Sequence, residues 1–287
     1  MKRKMIQWFT LVLTNANING FIQGKIYKGT SKNLCVPGLN CYSCPGAVGS
    51  CPIGSLQAVL GSAKYHFSFY VVGLLAAFGL VFGRFICGFL CPFGLLQELV
   101  AKVPFPQIKK PWNWLKYIKY AVLLVFVILM PVFVINYMGV GDPAFCKYIC
   151  PAGTLTAGFP LLMLNPSLRA SLGWLFALKV LILILVIIGC LLIYRFFCRF
   201  LCPLGAIYAL FNHISFYKLY LDSEKCVACG ACASACKMGV NPAKTPNSPE
   251  CVRCGDCVRV CKAGALKTGF RQEKISCHGN CVKCKQH

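Results

Sequence analysis

Acidic residues are almost missing from this chain. Seven Asp and Glu stand against 30 Lys and Arg among 287 residues. A charged fraction of 13% beside 57% hydrophobic residues excludes an ordinary soluble protein. The formal net charge of +23 would suit nucleic acid or anionic lipid. Its distribution decides between them. Residues 216–287 hold 12 Lys/Arg against 5 Asp/Glu, so +16 of the excess lies in the apolar part. Basic residues beside apolar segments read as membrane-surface anchors, not as a nucleic-acid face. No glycine fingerprint leads into a nucleotide-binding βα unit. No small-residue cleavage site follows the first apolar stretch. His66, His213, His278 and His287 lack the spacing of a haem-ligating pair within spans. Nothing here suggests catalysis on a substrate.

Cysteine, by contrast, is abundant, at 22. Disulfide scaffolds are usually small, secreted and polar; a large apolar chain with C-x-x-C runs favours metal. Two stretches are near copies. RFICGFLCPFG (84–94) and RFFCRFLCPLG (195–205) share eight of eleven positions at an offset of 111. Each ends an apolar segment and carries C-x-x-x-C-P-x-G. A spacing of four puts both sulfurs on one face of a helical turn, and the proline stops the continuing helix. If the halves pack together, Cys87, Cys91, Cys198 and Cys202 form a four-sulfur site for an iron–sulfur cluster.

Four stretches are candidates to span a hydrocarbon core about 30 Å thick: Met5–Tyr27, Phe67–Phe85, Tyr117–Tyr137 and Trp174–Tyr194. Asn15, Asn17, Asn19 and Gln23 give the first a polar, protein-facing side. The third should kink at Pro131. A short amphipathic helix is expected over 93–103, and a mixed loop or re-entrant piece over 153–171. With the N-terminus inside, Cys87/Cys91 and Cys198/Cys202 lie at the cytoplasmic ends. Eleven basic residues would then lie inside against six outside. Cys35, Cys41, Cys44 and Cys51 fall in an outer loop rich in Gly and Pro, and Cys146/Cys150 also lie at the outer end. The outer loop holds either one or two disulfides or a cluster site. The outer cluster site is expected around Cys44, Cys51, Cys146 and Cys150, leaving Cys35 and Cys41 as ligands or disulfide partners. Cys190, alone in the fourth span, reads as a small buried residue.

The tail is the most specific signal. CVACGACASAC supplies Cys226, Cys229, Cys232 and Cys236; CVRCGDCVRVC supplies Cys251, Cys254, Cys257 and Cys261. Both are C-x2-C-x2-C-x3-C, the bacterial ferredoxin run in which the fourth cysteine ligates the other cluster. One [4Fe–4S] cluster is therefore expected on Cys226, Cys229, Cys232 and Cys261, and a second on Cys251, Cys254, Cys257 and Cys236. Zinc sites seldom use this run twice. Lys237 and Lys262 stand where proline usually follows the fourth cysteine. They either raise cluster potentials, or are solvated charges, or offer a docking patch for an acidic donor. Cys277, Cys281 and Cys284 are one short of a further site, which a histidine or another cysteine could complete; a frayed reducible tail is the plainer reading.

The fold class is a mainly α membrane protein. About four transmembrane helices form two pseudo-repeats (1–103 and 112–212) within residues 1–215. An α+β dicluster ferredoxin domain follows over 216–270, then a cysteine-containing tail over 271–287. Two [4Fe–4S] clusters belong to the ferredoxin domain and one or two further clusters to the membrane domain.

Four spans, paired C-x-x-x-C-P motifs at helix ends and a C-terminal dicluster ferredoxin resemble the NapH/NosR-type membrane polyferredoxins over nearly the whole chain. The resemblance implies an electron-transfer subunit of the cytoplasmic membrane, with ferredoxin domain and C-terminus cytoplasmic. Its implied partners are a quinol-linked reductase or an extracytoplasmic flavoprotein. The family's paired cysteines correspond to Cys87/Cys91 and Cys198/Cys202. The outer cysteines and the Cys277–Cys284 tail are departures, as is the lack of the amino-terminal flavin domain of larger relatives. The leading expectation is a wire from a cytosolic donor through inner and outer sites. One rival is a quinone-linked subunit with structural outer disulfides; another is a redox sensor or a maturation protein.

Overall fold

The computed structural model describes residues 2–62, 68–108, 112–136, 139–170 and 172–270. The chain opens with α1 (Lys2–Thr14), which stops where the sequence turns to asparagine. Thr14 donates back to the Thr10 carbonyl at 2.8 Å and Asn15 to the Leu11 carbonyl at 3.1 Å. Side chains that serve the backbone in this way end a helix. A separate α2 (Ile18–Gln23) follows. The expected first span is therefore two pieces, and the 13 residues of α1 extend only about 20 Å. After the cysteine loop come α3 (Pro52–Gly61), α4 (Phe69–Phe82), α5 (Phe85–Phe89) and α6 (Pro92–Val100). The last of these is the helix expected over 93–103.

The second half repeats the order of elements: α7 (Trp114–Phe133), α8 (Pro151–Leu164), α9 (Trp174–Leu192), α10 (Phe196–Phe200) and α11 (Pro203–Phe211). Residues 151–164 form an apolar helix within the stretch expected as a mixed loop or re-entrant piece over 153–171. The reason is shared by four places. Cys51, Cys91, Cys150 and Cys202 each stand in extended backbone just before a helix whose first residue is proline. Proline's fixed φ suits a first turn, which needs no N–H from it. In C-P-x-G the proline thus starts a helix as well as ending one. In α7 the winding loosens to a π-helix over Leu123–Leu129 ahead of Pro131, whose ring has no N–H to give to the turn below.

Two helices, α7 and α9, are long and apolar enough to cross a membrane; α4 and α8 are shorter apolar helices. They differ from a soluble protein's helices in what faces outward. On α1, Met5, Phe9, Val12 and Leu13 are exposed while Gln7, Thr10 and Thr14 are buried. On α9, Leu181, Ile184, Leu185 and Ile188 are exposed. Arg84, Lys119 and Arg195 have no exposed surface at all. These basic residues, expected as surface anchors, are interior groups. An apolar outside around a charged inside fits a lipid surround, where polar groups turn toward protein.

Four helices run between two ends of the molecule. At one end Arg3 of α1 and Tyr194 after α9 meet Glu98, and Lys119 of α7 meets Glu250. At the other, the Thr14 carbonyl accepts from Asn40, Tyr70 of α4 accepts from Cys35 N, and Lys179 of α9 donates to the Cys146 carbonyl. Residues 34–51 are not an appendage: Cys35, Leu39, Cys44, Ala47 and Cys51 are buried.

The C-terminal part pairs β1 (Lys218–Leu221) with β2 (Leu266–Gly269), antiparallel, Lys218 opposite Gly269. Short helices α12 (Ala231–Ser234) and α13 (Asp256–Val260) lie between. The two cysteine loops share one backbone path. Ala228, Gly230 and Gly239 take positive φ, and so do Arg253, Gly255 and Gly264, each 25 residues on. This part docks on the Glu98/Glu250 end. Arg253 donates to the carbonyls of Phe82 at 3.0 Å and Asn212 at 2.6 Å, and Phe216 N donates to the Leu80 carbonyl at 2.7 Å.

A candidate chain of cysteine sites

The tail cysteines fall into two groups. Cys226, Cys229, Cys232 and Cys261 line one cavity of about 540 Å³. Cys236, Cys251, Cys254 and Cys257 line a second, much tighter one. The first is at the surface, with Cys229 and Val227 exposed; the second lies toward the docking face. Burial pushes the Cys254 thiol up to about 11 and the Cys257 thiol to about 12. Binding iron there would release protons.

Cys87, Cys91, Cys198 and Cys202, each at most 6% exposed, are electrostatic neighbours of one another. The twin motifs hold this inner quartet by exchange. Arg84 donates to the Cys198 carbonyl at 2.9 Å, and Arg195 to the Cys87 carbonyl at 2.6 Å. Each arginine is then fixed by a carboxylate: Arg84 by Glu250 at 2.9 Å, Arg195 by Glu98 at 2.6 Å. Burial alone would raise both carboxyls. Arg84 and Lys119 hold Glu250 below its ordinary range, and Arg195, Tyr194 and Arg3 do the same for Glu98. The glycines of C-P-x-G permit the close packing: a Cβ on Gly94 would stand 2.9 Å from the Cys87 carbonyl, and one on Gly205 3.0 Å from that of Cys198.

At the other end, Cys41, Cys51, Cys146 and Cys150 line a cavity of about 320 Å³. Cys41 stands where Cys44 was expected. The turn in which Cys44 N donates to the Cys41 carbonyl carries Cys44 toward α1, its sulfur 3.7 Å from Asn15 Oδ1. Cys35 contacts the hydroxyls of Ser50 and Ser55 at 3.2 and 3.4 Å and joins no quartet. No disulfide links the described cysteines. Cys190 is buried, as expected. Cys277, Cys281 and Cys284 lie outside the described residues.

Two glutamines went unread in the sequence. Gln97 donates to Cys198 Sγ at 3.0 Å and accepts from Cys198 N at 3.3 Å. Gln57 donates to Cys146 Sγ at 3.2 Å and accepts from Phe145 N at 3.0 Å. Each stands six residues after the cysteine of a C-P-x-G, so C-P-x-G-x-x-Q was the available signal. Tyr208 occupies the same place after Cys202. Its hydroxyl donates to the Pro37 carbonyl at 2.9 Å. That loop joins the two quartets, because the Leu39 amide serves Cys91 and the next amide, of Asn40, serves Cys51.

Among the described residues, no three His, Cys, Asp or Glu side chains converge as ligands of a single ion. Four thiols set around a cavity suit a multi-iron cluster instead. The charges agree. At the junction of the two parts, Arg84, Lys119, Arg195, Arg199 and Arg253 are buried against the two carboxylates Glu98 and Glu250. Arg84 Nε, Arg253 Nε, and Nε and Nη1 of Arg199 have no hydrogen-bond partner. Buried cations in such excess are costly unless anions join them. A cluster on four thiolates is an anion, so the residues present fit it.

Comparison with known proteins points the same way. Residues 65–113, 122–162 and 174–218 match a 4Fe-4S binding domain family, and 217–238 match a second family of that description. The chain is 30% identical to protein MJ0749 of Methanocaldococcus jannaschii over 59% of its own length and 57% of that protein's. It is 30% identical to protein NirI of Paracoccus denitrificans, over 59% of its length and 24% of NirI. It is 26% identical to YccM of Escherichia coli, assigned to electron transport, over 57% of its length and 44% of YccM. The chain thus spans less than two thirds of these curated relatives. No solved structure matches it. Repeated matches to 4Fe-4S binding domains over residues 65–113, 122–162 and 174–238 make this chain similar to iron–sulfur proteins of the ferredoxin type.

Proposed function

We propose that the chain relays single electrons between a cytosolic donor and an acceptor in or beyond the cytoplasmic membrane. The observation that carries this reading is the succession of four cysteine quartets from an exposed site, through the docking face, to the far end of the helices. Cys226, Cys229, Cys232 and Cys261 would hold the entry cluster. Cys236, Cys251, Cys254 and Cys257 would hold the second, the inner quartet a third, and Cys41, Cys51, Cys146 and Cys150 a fourth. Bound there, each cluster supplies reversible one-electron storage. The chain's own residues bury the inner quartet, oppose negative charge at the junction with arginine, and donate N–H groups from Gln57 and Gln97 to the Cys146 and Cys198 sulfurs. In this reading four helical segments cross the bilayer, α1 and α4 as short spans, with the ferredoxin part on the cytoplasmic side. The acceptor is a quinone-linked reductase or an extracytoplasmic flavoprotein.

Iron and acid-labile sulfide counted on the purified full chain test the reading, with electron paramagnetic resonance to type each site. About 16 iron atoms are expected, four per cluster. Cys41→Ser should remove about four of them, and Cys44→Ser none. Iron confined to the tail sites would defeat the relay.

A further inference from the structure

The twin motifs differ where they should not if symmetry were all that mattered. Position 88 is glycine in RFICGFLCPFG, and its counterpart in RFFCRFLCPLG is Arg199. At Gly88 the ferredoxin part packs so closely that a Cβ would stand 2.6 Å from the Val252 carbonyl. Arg199 is 2% exposed, and its Nε and Nη1 donate to nothing. It is neither a salt-bridge partner nor an anchor. Its planar face lies over the Phe200 ring at 5.6 Å. In sequence it lies between Cys198 and Cys202 of the inner quartet. Its charged neighbours are Arg84 of the helical part and, across the docking face, Glu250 and Cys236, the last lining the second ferredoxin cavity.

We infer that Arg199 is a tuning residue shared by the inner quartet and the second ferredoxin site, its fixed positive charge stabilising the reduced, more negative state of both. The inference rests on reading these quartets as cluster sites. A guanidinium keeps its charge at any working pH and donates from five N–H groups. Buried without a carboxylate of its own, it acts on nearby charge through a medium that screens little. Glu250 cannot neutralise it, because that carboxylate already serves Arg84 and Lys119. Two sites raised together exchange an electron with little difference in driving force.

Redox titration of the full chain in detergent, followed by electron paramagnetic resonance, tests this. In Arg199→Gln both sites should need a lower potential for half reduction. The ratio of reduced to oxidised cluster at fixed potential should fall on the order of tenfold, about 59 mV for one electron. The exposed Cys226/Cys229/Cys232/Cys261 site should not move. Arg199→Lys, which keeps the charge, should restore both potentials. Unchanged potentials in an iron-replete Arg199→Gln protein would overturn the inference, as would a shift at one site only. If Arg199→Gln loses iron, Arg199→Lys decides alone: potentials as low as a tenfold ratio change would overturn it. A wild-type protein with no inner-quartet signal to lose in Cys198→Ser would refute the cluster reading itself, a separate result.

Discussion

Glu98 and Glu250 are two of only seven acidic residues, and both are buried against arginine. Removing one such carboxylate leaves cations stranded in the interior, which costs about 3–5 kcal/mol. Glu250→Gln should therefore loosen the ferredoxin part from the helices, read as faster proteolysis between Phe211 and Lys218. Both carboxyls are held below their ordinary range. Their contribution is thus complete above the unfolded carboxyl value of about 4.3 and is lost as pH falls through the lower folded values. The same proteolysis assay run downward in pH should show protection that persists below about 4.3 and then fails. The grouping of the tail and inner cysteines was legible by spacing, while that of Cys41 over Cys44 was not. Gln57 and Gln97 were not, because a glutamine on an apolar helix shows its purpose only when the partner sulfur from the other half arrives.

At the scale of elements, C-P-x-G is a device for ending one helix and starting the next with a cysteine between them. The restart was legible after Cys91, where a helix over 93–103 is expected, but not after Cys150, where 153–171 reads as a mixed loop or re-entrant piece. Met5–Tyr27 reads as one span because Asn15 and Asn17 pass for a protein-facing side until Thr14 and Asn15 are seen bonding back to the Thr10 and Leu11 carbonyls. Gln97→Leu keeps α6 apolar and helical but removes the donor to Cys198 Sγ. Hydrogen bonds to cluster sulfur raise the potential, so this variant should make the inner site harder to reduce in a redox titration, with iron content unchanged. Gly88→Ala tests the docking of α5 on the Val252 carbonyl, a backbone atom that cannot swing aside. Weaker association of the ferredoxin part is expected, visible as increased exchange of the 249–254 amides with deuterium.

For the whole molecule, the exposed apolar faces of α1, α7 and α9 around buried arginines predict that the chain stays monodisperse only in detergent or lipid; sedimentation after detergent removal should show aggregation. The sequence by itself determined the cysteine spacing, the twin motifs, the doubled C-x2-C-x2-C-x3-C run and the alternation of apolar and cysteine-rich stretches. All of these are local patterns, set by the period of a helix or by a tight loop. Only the tertiary structure decided that Cys41 rather than Cys44 meets Cys51, Cys146 and Cys150, and that each arginine serves the other repeat. It alone showed the basic residues turned inward. Those outcomes depend on groups from 95 (Cys51 and Cys146) to 166 (Arg84 and Glu250) positions apart meeting in a medium of low dielectric, where an unmatched charge must find its counterpart whatever its place in the chain.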